Sequence, residues 1–437
     1  MGGVRSTIVL IVLLAGLGAY IYFVESKRDP TAADAKPKAF TELSADAVEE
    51  IRIKNADGEM SHLQKVGDTW QLLQPNKADA DAGVVGTVTS NLSTLEVQRV
   101  VDENPTDLKQ YGLDPARIDV SFRLKDQKEF QQLLVGDKTP AGGDVFAKRP
   151  NEKRVFLVSS YLESIFNKSS FDLRDKSVLK FDRTSTDRIT VNEAGSAIEF
   201  TRNGMEWRIA KPIPARADYA AIEGLLTRLS STFMQKIAAP EAPDLRMYGL
   251  DRPALTAAVT GGNQTATLAI GRAQDGTRFA KDSGRPEVFT VEETLFTELA
   301  KDVADYRRKD LFDARSFTAN RIEIRRGPDM LSLTKSGTGE GEMWKNAAGQ
   351  TVDLMKVEDL LSRLTSIRAV TFENTIPASL KAPNLTVTIT YDTTKTETVT
   401  FGGSGADVVA ARADEPGSAK IDSMPYEEAI KAVDALK

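Results

Sequence analysis

Few residues in this chain have the type and spacing to do chemistry. His62 is the only histidine and cysteine is absent. A histidine-dependent triad would have to use that one side chain, and thiolate nucleophiles, disulfides and thiolate metal sites are excluded. A zinc site built from several imidazoles is excluded with them. His62 falls in a short predicted strand and has no counterpart later in the chain, so a structural or exposed role is expected. The stretch from Phe401 to Asp407 reads F-G-G-S-G-A-D and could cradle a phosphate. It lacks the Lys-Ser/Thr of a P-loop and no long apolar helix follows it, so a hairpin loop is the better reading. Carboxylates are plentiful, yet no spaced pair recurs or gathers at a strand end as two-carboxylate acid–base work requires. No catalytic, cofactor-binding or metal-ligating residue is assigned, and a non-enzymatic protein without cofactor is expected.

The informative spacing is that of the aromatics. Trp70 opens W-Q-L-L-Q-P, which ends at Pro75, and Trp207 opens W-R-I-A-K-P, which ends at Pro212; the offset is 207 − 70 = 137. Tyr111-Gly112-Leu-Asp-Pro returns as Tyr248-Gly249-Leu-Asp-Arg-Pro, again 248 − 111 = 137. Trp344 lies 344 − 207 = 137 further on. Equal spacing of all three tryptophans means a repeated domain. The indoles could form stacking platforms for sugars, but a large aromatic holding strand to helix accounts for them better. Gly112 and Gly249, followed by Asp and Pro, read as the stop of a helical turn. Arg174 and Lys176, and later Arg307 and Lys309, end predicted closing helices. Cations there complement the helix dipole, and the alternative is docking, between repeats or onto anionic lipid.

The elements that position these residues follow from periodicity. In the first repeat, Ile51 and Ile53 alternate with charges, Asn55 to Gly58 supplies turn chemistry, and a strand meander leads to Trp70. Asp81 can cap a helix with Val84, Val85, Val88, Leu92 and Leu95 on one face. Strands follow at Val120 to Leu124, Leu134 to Gly136, Val145 to Ala147 and Val155 to Val158, and a closing helix is predicted from Tyr161 to about Lys176. The second repeat keeps this register, with Asp218 at the cap and Ile222, Leu225, Leu226 and Leu229 on the face. The third has drifted: no proline follows Trp344, the helix falls at Val357, Leu360, Leu361 and Leu364, and Tyr-Gly is lost. The expected fold class is α+β, a transmembrane helix followed by three tandem sheet-plus-helix repeats of about 130–140 residues. The boundaries are 1–24 anchor, 25–39 linker, 40–180, 181–311 and 312–437.

The anchor rests on Ser6 to Val24, uncharged and long enough for the ~30 Å hydrocarbon core. Its length, and the distance to the nearest A-x-A site at Ala33 to Ala35, disfavour a cleaved signal peptide. Arg5 before it favours a cytoplasmic N-terminus. A net charge of −6 gives no electrostatic reason for a nucleic-acid partner.

The anchor, Trp70 to Pro75, Trp207 to Pro212, the two Tyr-Gly-Leu-Asp motifs and Leu173-Arg-Asp-Lys176 together resemble the bacterial membrane-anchored proteins grouped as domain of unknown function 4340. The resemblance covers essentially the whole chain, with the third repeat departing from it. It implies an accessory role in the cell envelope beside an ABC-type export system similar to gliding-motility transporters, and it implies no catalytic residue. The expectation is therefore a single-pass inner-membrane protein with its bulk in the periplasm, acting as scaffold or adaptor for a permease or auxiliary membrane protein. A lipid- or glycan-binding module, with its groove between repeats, and a carboxylate-dependent envelope hydrolase are the alternatives.

Overall fold

The computed structural model describes residues 36–337 and 341–436. Period-2 alternation dominates it. The first repeat forms β1 (Val48–Lys54), β2 (Met60–Val66), β3 (Thr69–Gln74), β4 (Ala78–Asp79), β5 (Arg99–Asp102), β6 (Ile118–Leu124), β7 (Gln131–Lys138), β8 (Asp144–Lys148) and β9 (Val155–Ser159). They pair antiparallel in the order β4-β3-β2-β1-β6-β7-β8-β9-β5. In β6, Ile118, Val120, Phe122 and Leu124 are buried while the residues between them are not, which gives the sheet one core-facing side. The strands at 186–292 and at 319–421 form two further nine-stranded sheets with the same order, strand for strand. One edge of each sheet is only two residues long: Ala78–Asp79, Ala215–Arg216 and Thr351–Val352. Edges that short offer little template for pairing with another chain.

One helix follows the fourth strand in each repeat, at Ala82–Ser93, Tyr219–Ser231 and Leu354–Thr365. Asp81, Asp218 and Asp353 cap them, each side chain accepting from a backbone N–H of the first turn. The buried faces are Val85, Val88, Thr89 and Leu92, then Ile222, Leu225, Leu226 and Leu229, then Val357, Leu360, Leu361 and Leu364. The i, i+3, i+4, i+7 spacing presents one stripe to the sheet. A segment before each sheet pairs with the chain leaving that helix. The amide of Val97 donates to the carbonyl of Pro37, that of Val178 to Thr232, and that of Ala369 to Lys309. Residues 37–39, expected to belong to a linker, are thereby part of the first repeat.

Several expectations change. The α+β description gives way to a mostly antiparallel architecture of three large sheets in which helices are the minor component. Sequence reading missed the short edge strands, whose two to five residues are too few to show a period. The closing helices of the first two repeats are split, into Tyr161–Phe166 and Ser170–Leu173, and into Glu293–Leu299 and Val303–Tyr306. A capping box at Ser169 and Asp172 restarts the first of these pairs. Only the third repeat has one continuous closing helix, Ser423–Asp434. Among the described residues no helix is long and apolar enough to cross a membrane, and the expected anchor at 1–24 lies outside them. By compactness the chain divides into two units, one up to Lys176 and one from Ser177 onward, the latter containing the second and third sheets.

Candidate functional site

The repeated aromatics occupy equivalent places. Trp70 pairs with Lys65, Trp207 with Arg202 and Trp344 with Lys335, each on the third strand of its sheet. The Trp70 and Trp207 carbonyls accept from Ala80 and Ala217, and Trp344 pairs with Val352. Trp207 and Trp344 are buried, and Trp344 shares a core with Val357 and Leu361; Trp70 is half-buried against the first core. Pro75 and Pro212, which close the two motifs, both follow cis peptide bonds.

Tyr111 and Tyr248 end short 3-10 turns whose C-caps, Gly112 and Gly249, have φ of 65° and 67°, a left-handed conformation open to glycine. The turn lies over the end of the strand Gln131–Lys138 or Gln264–Gln274. A Cβ on Gly136 would collide with the Tyr111 carbonyl oxygen, and one on Gly271 with that of Tyr248. The third repeat, which lacks Tyr-Gly, keeps this close approach through Gly402 and the Ser379 carbonyl. Tyr111 and Tyr248 each pack on a phenylalanine, Phe146 and Phe279, with ring centroids 5.0 Å apart.

The densest charged cluster lies where the second repeat joins the third. Arg216 Nε donates to Glu415 Oε1 at 2.6 Å, its Nη1 to Asp313 at 2.7 Å and its Nη2 to the Asp310 carbonyl at 2.8 Å. Glu415 Oε2 accepts from Arg307 Nη2 at 3.1 Å, and the Arg307 guanidinium lies 3.9 Å from the Phe372 ring centroid. Arg412 bonds Glu397 at 2.8 Å, the Leu311 carbonyl at 2.6 Å and Asp414 at 2.9 Å. Glu397 also accepts from the backbone amides of Asp313 and Ala314, both at 2.8 Å. Arg216, Arg307, Arg412 and Glu397 are all buried. Glu415, Glu397 and Asp313 therefore each hold two segments together, and the cluster acts as a polar joint.

The electrostatics are those of locked ion pairs. Burial works against the Arg412 charge, but hydrogen bonds to Asp414 and Glu397 more than offset it and keep the group above the ordinary arginine range. Asp414 is raised by burial and lowered further by Arg412, and ends below its usual value. Burial, with Asp313 and Glu397 beside it, pushes the Tyr391 hydroxyl up to about 12. Glu50 in the first repeat behaves like Asp414: burial is outweighed by Arg123, His62 and Arg52. Every shifted carboxylate among the described residues is shifted down: Glu50, Glu163, Asp172, Asp182, Asp244 and Asp414. None of these is an acid kept protonated near neutral pH, the form that a general-acid carboxyl needs.

The remaining sequence-predicted residues disperse. Arg174 and Arg307 do stand at the C-terminal ends of the short helices Ser170–Leu173 and Val303–Tyr306, but both are buried, and Arg307 belongs to the joint. Lys176 is half-buried over the Phe171 ring, whereas Lys309 is exposed. His62 hydrogen-bonds Glu50 at 2.7 Å. Among the described residues no group of three His, Cys, Asp or Glu side chains is placed to hold a metal. Arg216, Glu397, Arg412 and Glu415 were missed in the sequence. Glu397 could have been found, since it stands on the face that also buries Val399 and Phe401, where a charge needs a partner.

A family profile described as "Domain of unknown function (DUF4340)" matches this chain twice, at residues 70–206 and 207–386. Both matches begin on a repeated tryptophan, Trp70 and Trp207, and the second runs past Trp344 into the third repeat. No curated protein matches the chain. Among solved structures, the DNA polymerase sliding clamp from Pseudomonas aeruginosa with ligand aligns over 88% of this chain and 93% of its own at 9% identity. Its TM-score of 0.16 is too low to support any argument. With two copies of the profile covering well over half of its length, the chain belongs to the DUF4340 family.

Proposed function

We propose that this protein is a non-enzymatic scaffold or adaptor of the bacterial envelope, standing on the periplasmic side of the inner membrane and engaging a permease or auxiliary membrane protein of an ABC-type, gliding-motility-like transport system. The observation that carries the reading is how the charged groups are used. At the junction of the second and third repeats, Arg216, Arg307 and Arg412 are ion-paired with Glu415, Glu397, Asp313 and Asp414 within the chain. Groups spent in this way fix one repeat against the next, which suits a surface that must keep its geometry while binding. Repetition multiplies such surface. The transport partner rests on the resemblance drawn from the sequence. Affinity purification of the full chain from native membranes, followed by mass spectrometry, tests it. Enrichment of a permease, auxiliary protein or ATPase of one transport system is expected, and repeated recovery with none of them overturns the transport role.

A further inference from the structure

The third repeat contains a cleft of about 650 Å³ between the glycine-rich loop at 402–405 and the helix Ser423–Asp434. Its size is that of a small-molecule site. The loop is fixed by the chain itself. Asn384 Nδ2 donates to the Gly403 carbonyl at 2.6 Å, and Gly403 has φ of 84° in a place where a Cβ would collide with the Asp407 carbonyl. Two cations line the cleft, Arg326 and Lys431, against one carboxylate, Glu427. Arg326 gives both of its bonds to Asp434 from Nη1, at 2.8 and 2.9 Å, which leaves Nη2 and Nε for another acceptor. Lys431 makes no ion pair among the described residues. Tyr426 adds a phenol, and its ring packs on Phe401 with centroids 5.4 Å apart. Burial pushes the Tyr426 hydroxyl up while Arg326 opposes the shift, so the group remains an O–H donor at neutral pH. Pro383, Val408 and Ile430 supply the apolar wall.

We propose that this cleft binds a small amphiphile with a phosphate or carboxylate head and an apolar body. The guanidinium, ammonium and phenol donors face an oxyanion, and charge-assisted hydrogen bonds to it are stronger than neutral ones. The apolar wall adds affinity in proportion to the surface it covers. The inference stands apart from the scaffold reading, because it concerns a cleft within one repeat and needs no partner protein.

Isothermal titration calorimetry of the full chain with hexyl phosphate, hexanoate, hexanol and inorganic phosphate tests it. Hexyl phosphate or hexanoate should bind at least about tenfold more tightly than hexanol and inorganic phosphate, a gap of ~1.4 kcal/mol. Preference for one of the two anions identifies the head group. Lys431→Glu should weaken that binding by about tenfold or more, as should Ser404→Trp, which fills the cleft. Lys431 is exposed, so its replacement leaves the fold intact. Equal binding of hexanol, absence of binding by both anionic amphiphiles at millimolar concentration, or unchanged affinity in Lys431→Glu overturns the proposal.

Discussion

Glu415 accepts from Arg216 and Arg307 at once, and neither guanidinium has another carboxylate as well buried. Removing one member of a buried pair leaves an uncompensated charge, so Glu415→Ala should cost about 3–5 kcal/mol. A lowered urea midpoint for the unit from Ser177 onward would show it; a change within ~0.5 kcal/mol, typical of surface positions, would count against a joint. Glu50 makes a pH prediction. Its carboxyl is held below the ordinary value of 4.5 by Arg123, His62 and Arg52 after burial has been overcome. A carboxylate with a lowered folded pKa binds fewer protons in the native state than in the unfolded state. Its stabilising contribution is therefore complete above 4.5 and is lost as pH falls through the folded value. Acid titration of stability should be shallower over that window in Glu50→Gln than in the parent, and identical profiles would contradict this.

The three caps and the strand-end glycines recur as units of structure, so equivalent substitutions should cost similar amounts. Asp81→Ala, Asp218→Ala and Asp353→Ala each remove a side-chain acceptor from the first turn, at about 1 kcal/mol apiece. Gly271→Ala puts a methyl into the Tyr248 carbonyl, a collision with backbone that no rotamer relieves. It should cost ~1–3 kcal/mol. Gly86→Ala, in the helix Ala82–Ser93 with open space around it, should instead stabilise by about 0.5–1 kcal/mol. Thermal melts of the five variants decide; a neutral Gly271→Ala would remove the close approach as a shared feature. The helices and their faces were legible because amphipathic stripes repeat locally, down to Val357, Leu360, Leu361 and Leu364 in the drifted third copy. The splits in the closing helices were not. They depend on where the chain must turn to reach Ala80 and Ala217, each of which forms an isolated bridge with Arg174 or Arg307.

Across the whole molecule, the tryptophan spacing revealed three copies, and each copy is a nine-stranded sheet of one topology. The sheet order and the predominance of strands over helices could not be read, because pairing of β1 with β6 joins residues about seventy positions apart in a way no local period records. The joint was unreadable for the same reason. Arg216 and Glu415 lie in different repeats, and only Arg307 drew notice, as the end of a helix. The reading of this protein as a rigid support rests on that joint making the second and third sheets one cooperative body. Native-state hydrogen exchange of the full chain measures this directly, since sheets that open together share one opening free energy. In the parent, the core strands at 186–292 and 319–421 should exchange with matching protection, and Glu415→Ala should separate them. Independent opening of the two sheets in the parent, or an unchanged pattern in the variant, would contradict the account.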